Sequence, residues 1–248
     1  MDRWKVLRLD YLFSVLIPCI VAIYVNNFSI LAHLKTLMGW AFLGIAGNVI
    51  NDMIDKDRGI GWHQKELAAV ALGCLVLGIM SFIDLIISAP INLIWLTIAI
   101  GLILGYCLGL KKIAVFSTLI QVFAEIFMPY FTIHIPTGTL EWLWVLSIYF
   151  FGVLSQITHE AIDKEAIKKY SNRTIQILVF VFSLLTIGFG VVLFLMTFDY
   201  NILPFSFVPF ATMYIFRIPR SGIASNIKDV GIIIGNLFMS YFLVLVLI

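Results

Sequence analysis

Apolar residues in this sequence run in long stretches, and most of the charge falls in the short connections between them, a segregation that leaves few architectures open. Stretches of about spanning length lie at 11–31, 34–50, 67–88, 91–110, 113–134, 142–158, 175–197, 203–218 and 229–248. In hydrocarbon a chain segment must satisfy its own backbone hydrogen bonds, which a helix does within one segment, and about 20 apolar residues cross a core roughly 30 Å thick. The pattern predicts an all-α membrane protein of nine transmembrane helices, in one domain over 1–248. Composition agrees: 62% of the 248 residues are hydrophobic and 12% charged, against roughly 45 to 50% and about 25% in soluble domains.

The charged connections also orient the chain. Arg3, Lys5 and Arg8 precede an apolar run longer than a signal-peptide core and without a small-residue cleavage site, so a retained first span is expected. With a cytoplasmic N-terminus, only Lys35 of the 16 basic residues falls outside, and the C-terminus lies on the opposite side. Trp142 and Trp144 are expected at the external interface, where amphipathic rings sit. A net charge of +2, spread over short loops, argues against nucleic acid as a partner. Cys19, Cys74 and Cys107 stand alone in apolar stretches and read as small buried hydrophobes.

One acidic phrase occurs twice: Asn51-Asp52-Met53-Ile54-Asp55-Lys56-Asp57 and His159-Glu160-Ala161-Ile162-Asp163-Lys164-Glu165. The copies follow the second and sixth apolar segments, and the next cytoplasmic connections also correspond, Lys111-Lys112 with Arg217 and Arg220. The chain therefore reads as two four-helix repeats in parallel orientation plus a ninth helix, around a central cavity that both phrases face. On a helix, Asn48, Asn51 or Asp52, and Asp55 share a face, as do Gln156, Glu160 and Asp163. Polar groups inside apolar segments are costly unless they meet a cavity, a partner or an ion. Hard oxygen donors without a thiolate or multi-histidine set favour Mg²⁺, which typically bridges to phosphate oxygens, so a diphosphate ligand fits. The plain alternative is that these acids only solvate loops; their repetition argues against it.

With these residues in view, the chain resembles the UbiA superfamily of intramembrane prenyltransferases over essentially its whole length. The family's first motif, N-D-x-x-D-x-x-x-D, is matched by Asn51, Asp52 and Asp55, with Gly59 in place of the last acid. Of the second, Asp163, Arg173 and Thr174 match, while Ile167 replaces an acid. Tyr106 to Lys112 is similar to the family's Tyr and Lys-Arg stretch, and Gln121 stands where relatives carry Gln. The resemblance implies Mg²⁺-dependent transfer of a prenyl group from a prenyl diphosphate to an aromatic or other lipid-precursor acceptor, as in quinone or lipid biosynthesis. It implies metal at Asn51, Asp55 and Asp163 with Asp52 and Glu160 in support, diphosphate contacts from Lys111, Lys112, Asn48 and Arg173, and an acceptor or cation pocket including Tyr106 and Gln121. Phe123, Phe127 and Tyr130 are candidates to line that pocket, or are plain packing.

Each phrase keeps an acid two residues after its central Asp and lacks one four residues after it. Asp57 and Glu165 are candidate substitutes if the helices end early; otherwise the metal load is lower or catalysis has been lost. Glu125, one turn after Gln121, is an intramembrane carboxylate: a candidate to bind the acceptor or take its proton, or a protonated group bonded to a neighbouring helix. A cation-coupled transporter of a phosphorylated or lipid-like solute is the rival class, and a non-catalytic relative a third. Acids at the helix ends rather than mid-membrane weigh against the transporter.

Overall fold

The computed structural model describes residues 6–55, 62–163, 166–217 and 226–248. Their regular structure is helical: α1 (Phe13–Val25), α2 (Leu34–Asp55), α3 (Gln64–Ser81), α4 (Ile83–Ser88), α5 (Ile91–Leu108), α6 (Phe116–Ile133), α7 (Thr139–Asp163), α8 (Asn172–Thr197), α9 (Leu203–Ile215) and α10 (Asn226–Leu247), joined in places by short 3-10 turns. Among the described residues seven segments are long and apolar enough to cross a membrane: α2, α3 with α4, α5, α6, α7, α8 and α10. The protein is an integral, multi-pass membrane protein. The other two expected spans correspond to the shorter helices α1 and α9, of 13 residues each, which 3-10 turns at Leu9–Tyr11 and Tyr200–Ile202 precede.

Local chemistry sets several boundaries. The His63 backbone N–H donates to Glu66 Oε2 at 2.8 Å, capping α3. Ser171 Oγ accepts from the Thr174 N–H at 3.1 Å, capping α8. The apolar stretch expected over 67–88 breaks at Phe82, whose side chain turns fully inward. Its ring takes the space above Gly39, where a Cβ would come within 2.6 Å of it, and meets the Trp40 ring edge-on at 5.6 Å between centroids.

The chain divides into two compact units. The first holds residues 1–110, 128–135 and 235–248. Within it α2 packs along α3 and touches α1 and α5. Val6, Ile45, Val49, Leu67 and Ala71 form a buried cluster, so the segment before α1 is part of this unit's core. Trp40 Nε1 donates to Thr132 Oγ1 at 2.8 Å, and Asn236 Nδ2 donates to the Asp10 carbonyl at 2.8 Å. The second unit holds 111–127 and 136–234, in which α8 packs on α7 and α9. The division at Leu110 and Lys111 falls where the sequence repeat divides. The end of α6 belongs to the first unit because, past Pro129, it bonds to α1 and α2 through the Pro129 carbonyl and Thr132.

One expectation is corrected here. Trp142 is 38% exposed, as an interfacial ring would be, but Trp144 is 3% exposed and packs inside the protein. The two residues stand 200° apart on α7, so both cannot face the same way.

Candidate functional site

Both acidic phrases close a helix at its C-terminus. α2 ends at Asp55 and α7 at Asp163, and neither carries a basic residue in its last turn. Unpaired carbonyls make that end of a helix negative, so carboxylates there add charge of the same sign and draw a cation from elsewhere. In the first unit the cation is Arg8. Its Nη2 donates to Asp52 Oδ1 at 2.5 Å; the carboxylate is 2% exposed and the arginine side chain 32%. Arg8 sits in the left-handed backbone region at φ 44°, ψ 46°, a conformation that a non-glycine residue holds only when its surroundings fix it. Asn48 and Asn51 are half-buried, and Asp55 is exposed at the helix end. Asp57 lies outside the described residues.

In the second unit Glu160 is 2% exposed, and its Oε1 accepts from Thr118 Oγ1 of α6 at 2.5 Å. Gln156 and His159 are half-buried on α7, and Asp163 is the last residue of that helix. Glu165 lies outside the described residues. Ile167, where the resemblance calls for a second acid, is completely buried in the 3-10 turn Ala166–Lys169. The position has become core, and an ionised carboxylate there would be a buried charge.

The basic candidates flank the second unit's helices. Lys111 and Lys112 occupy the 3-10 turn Leu110–Lys112, and the Lys112 carbonyl accepts from Lys169 Nζ at 3.5 Å. The connection to α6 passes through Val115 at φ 67°, a strained value for a β-branched residue. Arg173 is exposed in the first turn of α8, where the positive end of the helix leaves it better suited to an anion than to the helix itself. On α6, Gln121 Nε2 donates to Glu125 Oε1 at 2.9 Å. Tyr106 is half-buried on α5 of the first unit. Phe127 stacks on Phe123 at 4.8 Å and meets Tyr149 edge-on at 5.2 Å, and Tyr130 is fully buried.

Sequence reasoning missed Arg8 and Thr118. Arg8 had counted only as a topology signal, although as the last basic residue before the first apolar run it is held at helix-end level. Thr118 stands one turn before Gln121 on the same face, which was the available clue.

Among the described residues no group of three or more His, Cys, Asp and Glu side chains converges on one point. The donors present on α2 are nonetheless oxygen throughout, two amide carbonyls and the exposed carboxylate of Asp55, at a helix end of negative potential. That chemistry fits a hard divalent cation such as Mg²⁺. Because Arg8 already occupies Asp52, it fits a lower ligand charge than the motif alone would offer.

No family model and no curated protein matches the sequence. Solved structures do. A UbiA homologue from Archaeoglobus fulgidus bound to GPP and Mg²⁺ superposes with a TM-score of 0.72 at 15% identity, covering 100% of each chain. The same homologue bound to DMAPP and Mg²⁺ gives a TM-score of 0.68 at 14% identity, again over 100% of each. The chain has the UbiA fold. A digeranylgeranylglyceryl phosphate synthase shares this fold with a TM-score of 0.66 at 17% identity over 99% of each chain.

Proposed function

We propose that this chain belongs to the UbiA superfamily and is an Mg²⁺-dependent prenyltransferase. It would move a prenyl group from a prenyl diphosphate to an aromatic or other lipid-precursor acceptor, as in quinone or lipid biosynthesis. The observation that carries the reading is a repeated acid-and-amide helix end on a chain with the UbiA fold over its full length. The ligands of the matching structures support the substrate class: one homologue is bound to GPP and Mg²⁺ and to DMAPP and Mg²⁺.

In this reading 1–248 is one catalytic domain with nine spans, and the N-terminus and acidic phrases face the cytoplasm. Asn51, Asp55 and Asp163 hold Mg²⁺, with Glu160 in support and Asp52 acting through Arg8. When bound, the cation supplies positive charge against the diphosphate leaving group. Lys111, Lys112, Arg173 and Asn48 bind diphosphate oxygens, fixing the leaving group where charge develops on it. Tyr106 and Gln121 border the acceptor, and the apolar spans keep water from the allylic cation until the acceptor captures it. Asp57 and Glu165 remain candidates for the two missing acids.

The Arg8–Asp52 pair and the burial of Ile167 favour one second reading, a prenyl-diphosphate-binding relative without turnover. Pyrophosphate release from geranyl and longer diphosphates, with and without Mg²⁺, separates the two. Metal-dependent release that falls by roughly 100-fold or more in Asp55→Asn and in Asp163→Asn supports the enzyme. Binding of the diphosphate without release, across acceptors, refutes it.

A further inference from the structure

Thr118, Gln121 and Glu125 recur on α6 at intervals of three and four residues, which places them on a stripe about 60° wide. Glu125 stands midway along α6, roughly 14 Å from the helix start at 1.5 Å per residue. α6 is also the most enclosed of the apolar spans: 56% of its apolar stretch is buried within the protein, against 11% to 39% in the other six. Within the stripe Thr118 is buried, and Gln121 and Glu125 are half-buried.

Gln121 uses its amide N–H on the Glu125 carboxylate. Its own carbonyl oxygen, Oε1, is buried and accepts no hydrogen bond among the described residues. A buried acceptor without a donor is unfavourable, and more so at membrane depth. A hydrogen-bond donor placed beside the Glu125 carboxylate would satisfy this oxygen.

Charge decides what kind of molecule brings that donor. The sequence has no Lys or Arg within 9–34, 36–55, 66–110, 113–163, 174–216 or 229–248. The basic groups stand in the connections or in the first turn of a helix. A carboxylate or phosphate lodged at the level of Glu125 would meet a like charge with no lysine or arginine at that depth to offset it.

Building on the prenyl-transfer reading above, we propose that the acceptor is an uncharged molecule bearing a hydroxyl, held by Gln121 Oε1 and Glu125 at mid-membrane, and that Glu125 takes its proton. The hydroxyl oxygen forms a new bond to the allylic carbon of the prenyl group. That carbon's bond to the diphosphate oxygen breaks, and the electron pair leaves with the diphosphate. The hydroxyl proton passes to the Glu125 carboxylate, so the products are a neutral prenyl ether and pyrophosphate.

The test uses the full chain in lipid nanodiscs with Mg²⁺, geranyl diphosphate and matched acceptor pairs: para-hydroxybenzyl alcohol against para-hydroxybenzoate, and a monoalkyl glycerol against its phosphate. Ether product is measured by mass spectrometry, and acceptor binding without geranyl diphosphate by saturation-transfer NMR. The neutral member of each pair is expected to bind and react at least about tenfold better, and Glu125→Gln to bring that ratio below about threefold. Glu125→Asp, which keeps the charge, retains the preference, and the acid limb of the kcat profile against pH flattens only in Glu125→Gln. Equal or better binding and alkylation of the anionic members overturns the inference and leaves prenyl transfer standing. Absence of Mg²⁺-dependent geranyl diphosphate binding overturns the prenyl-transfer reading, and the inference with it.

Discussion

Replacing Arg8 by alanine takes the guanidinium away from a carboxylate that is 2% exposed, which makes Asp52 the most direct test of how the first acidic phrase is held. Removing one partner of a fully buried ion pair costs about 3 to 5 kcal/mol, because the remaining charge is neither solvated nor paired. Here the arginine side chain is 32% exposed, so water reaches part of the site once the guanidinium is gone, and about 2 to 3 kcal/mol is expected. At roughly 2 to 4 °C per kcal/mol for a chain of this size, Arg8→Ala lowers the thermal unfolding midpoint in detergent by about 4 to 12 °C. Asp52→Asn is milder, about 1 kcal/mol, since the amide oxygen still accepts from Arg8 and the arginine retains access to water. The double variant Arg8→Ala, Asp52→Asn then recovers most of the loss, because no charge is left unpaired. Additive single effects, or an Arg8→Ala midpoint within about 1 °C of the parent, would refute the view that Arg8 is the resident cation of this helix end.

Two further outcomes follow from the second acidic phrase. Thr118→Val removes the hydroxyl that donates to the buried Glu160 and costs about 1 to 3 kcal/mol, read as a lower unfolding midpoint. Thr118→Ser, which keeps the donor, stays within about 0.5 kcal/mol of the parent. Ile167→Asp restores the acid that the resemblance calls for, at a position with no exposure. It is expected to destabilise the protein by more than about 3 kcal/mol without tightening Mg²⁺, checked by unfolding and by manganese-binding titration. A tighter metal site in that variant would show that the turn can open to admit a ligand.

The helices were legible because their signal is carried by every residue in an apolar run. Boundaries that depend on single side chains were not. The stretch from Leu67 to Ser88 is apolar except for Ser81 and Asp84, and neither marks Phe82 as the residue that turns inward over Gly39. The shared face of Asn48, Asn51, Asp52 and Asp55 was readable from spacing, since α2 continues to Asp55. What spacing could not reveal is that Asp52 faces a half-buried arginine from a segment 44 residues away while Asp55 is exposed. Ile167 reads in sequence as a missing acid, but its burial is a tertiary fact that no local pattern encodes. The Gln121–Glu125 pair was readable as one turn on one helix; the orphaned oxygen beside it was not.

The bond from Asn236 Nδ2 to the Asp10 carbonyl, together with the seating of the Phe13 ring over Gly235, has a consequence in biogenesis. The segment that carries Arg8 is fastened to α10, which is synthesised last. At roughly 5 to 20 residues per second, the interval between making the two is about 11 to 45 seconds. During that interval Asp52 is already in the membrane while one clamp on its arginine has yet to be made. Insertion of α10 is thus the step that completes the first helix end, and a chain stalled before it would expose an incompletely fastened acidic site to the cell's quality control.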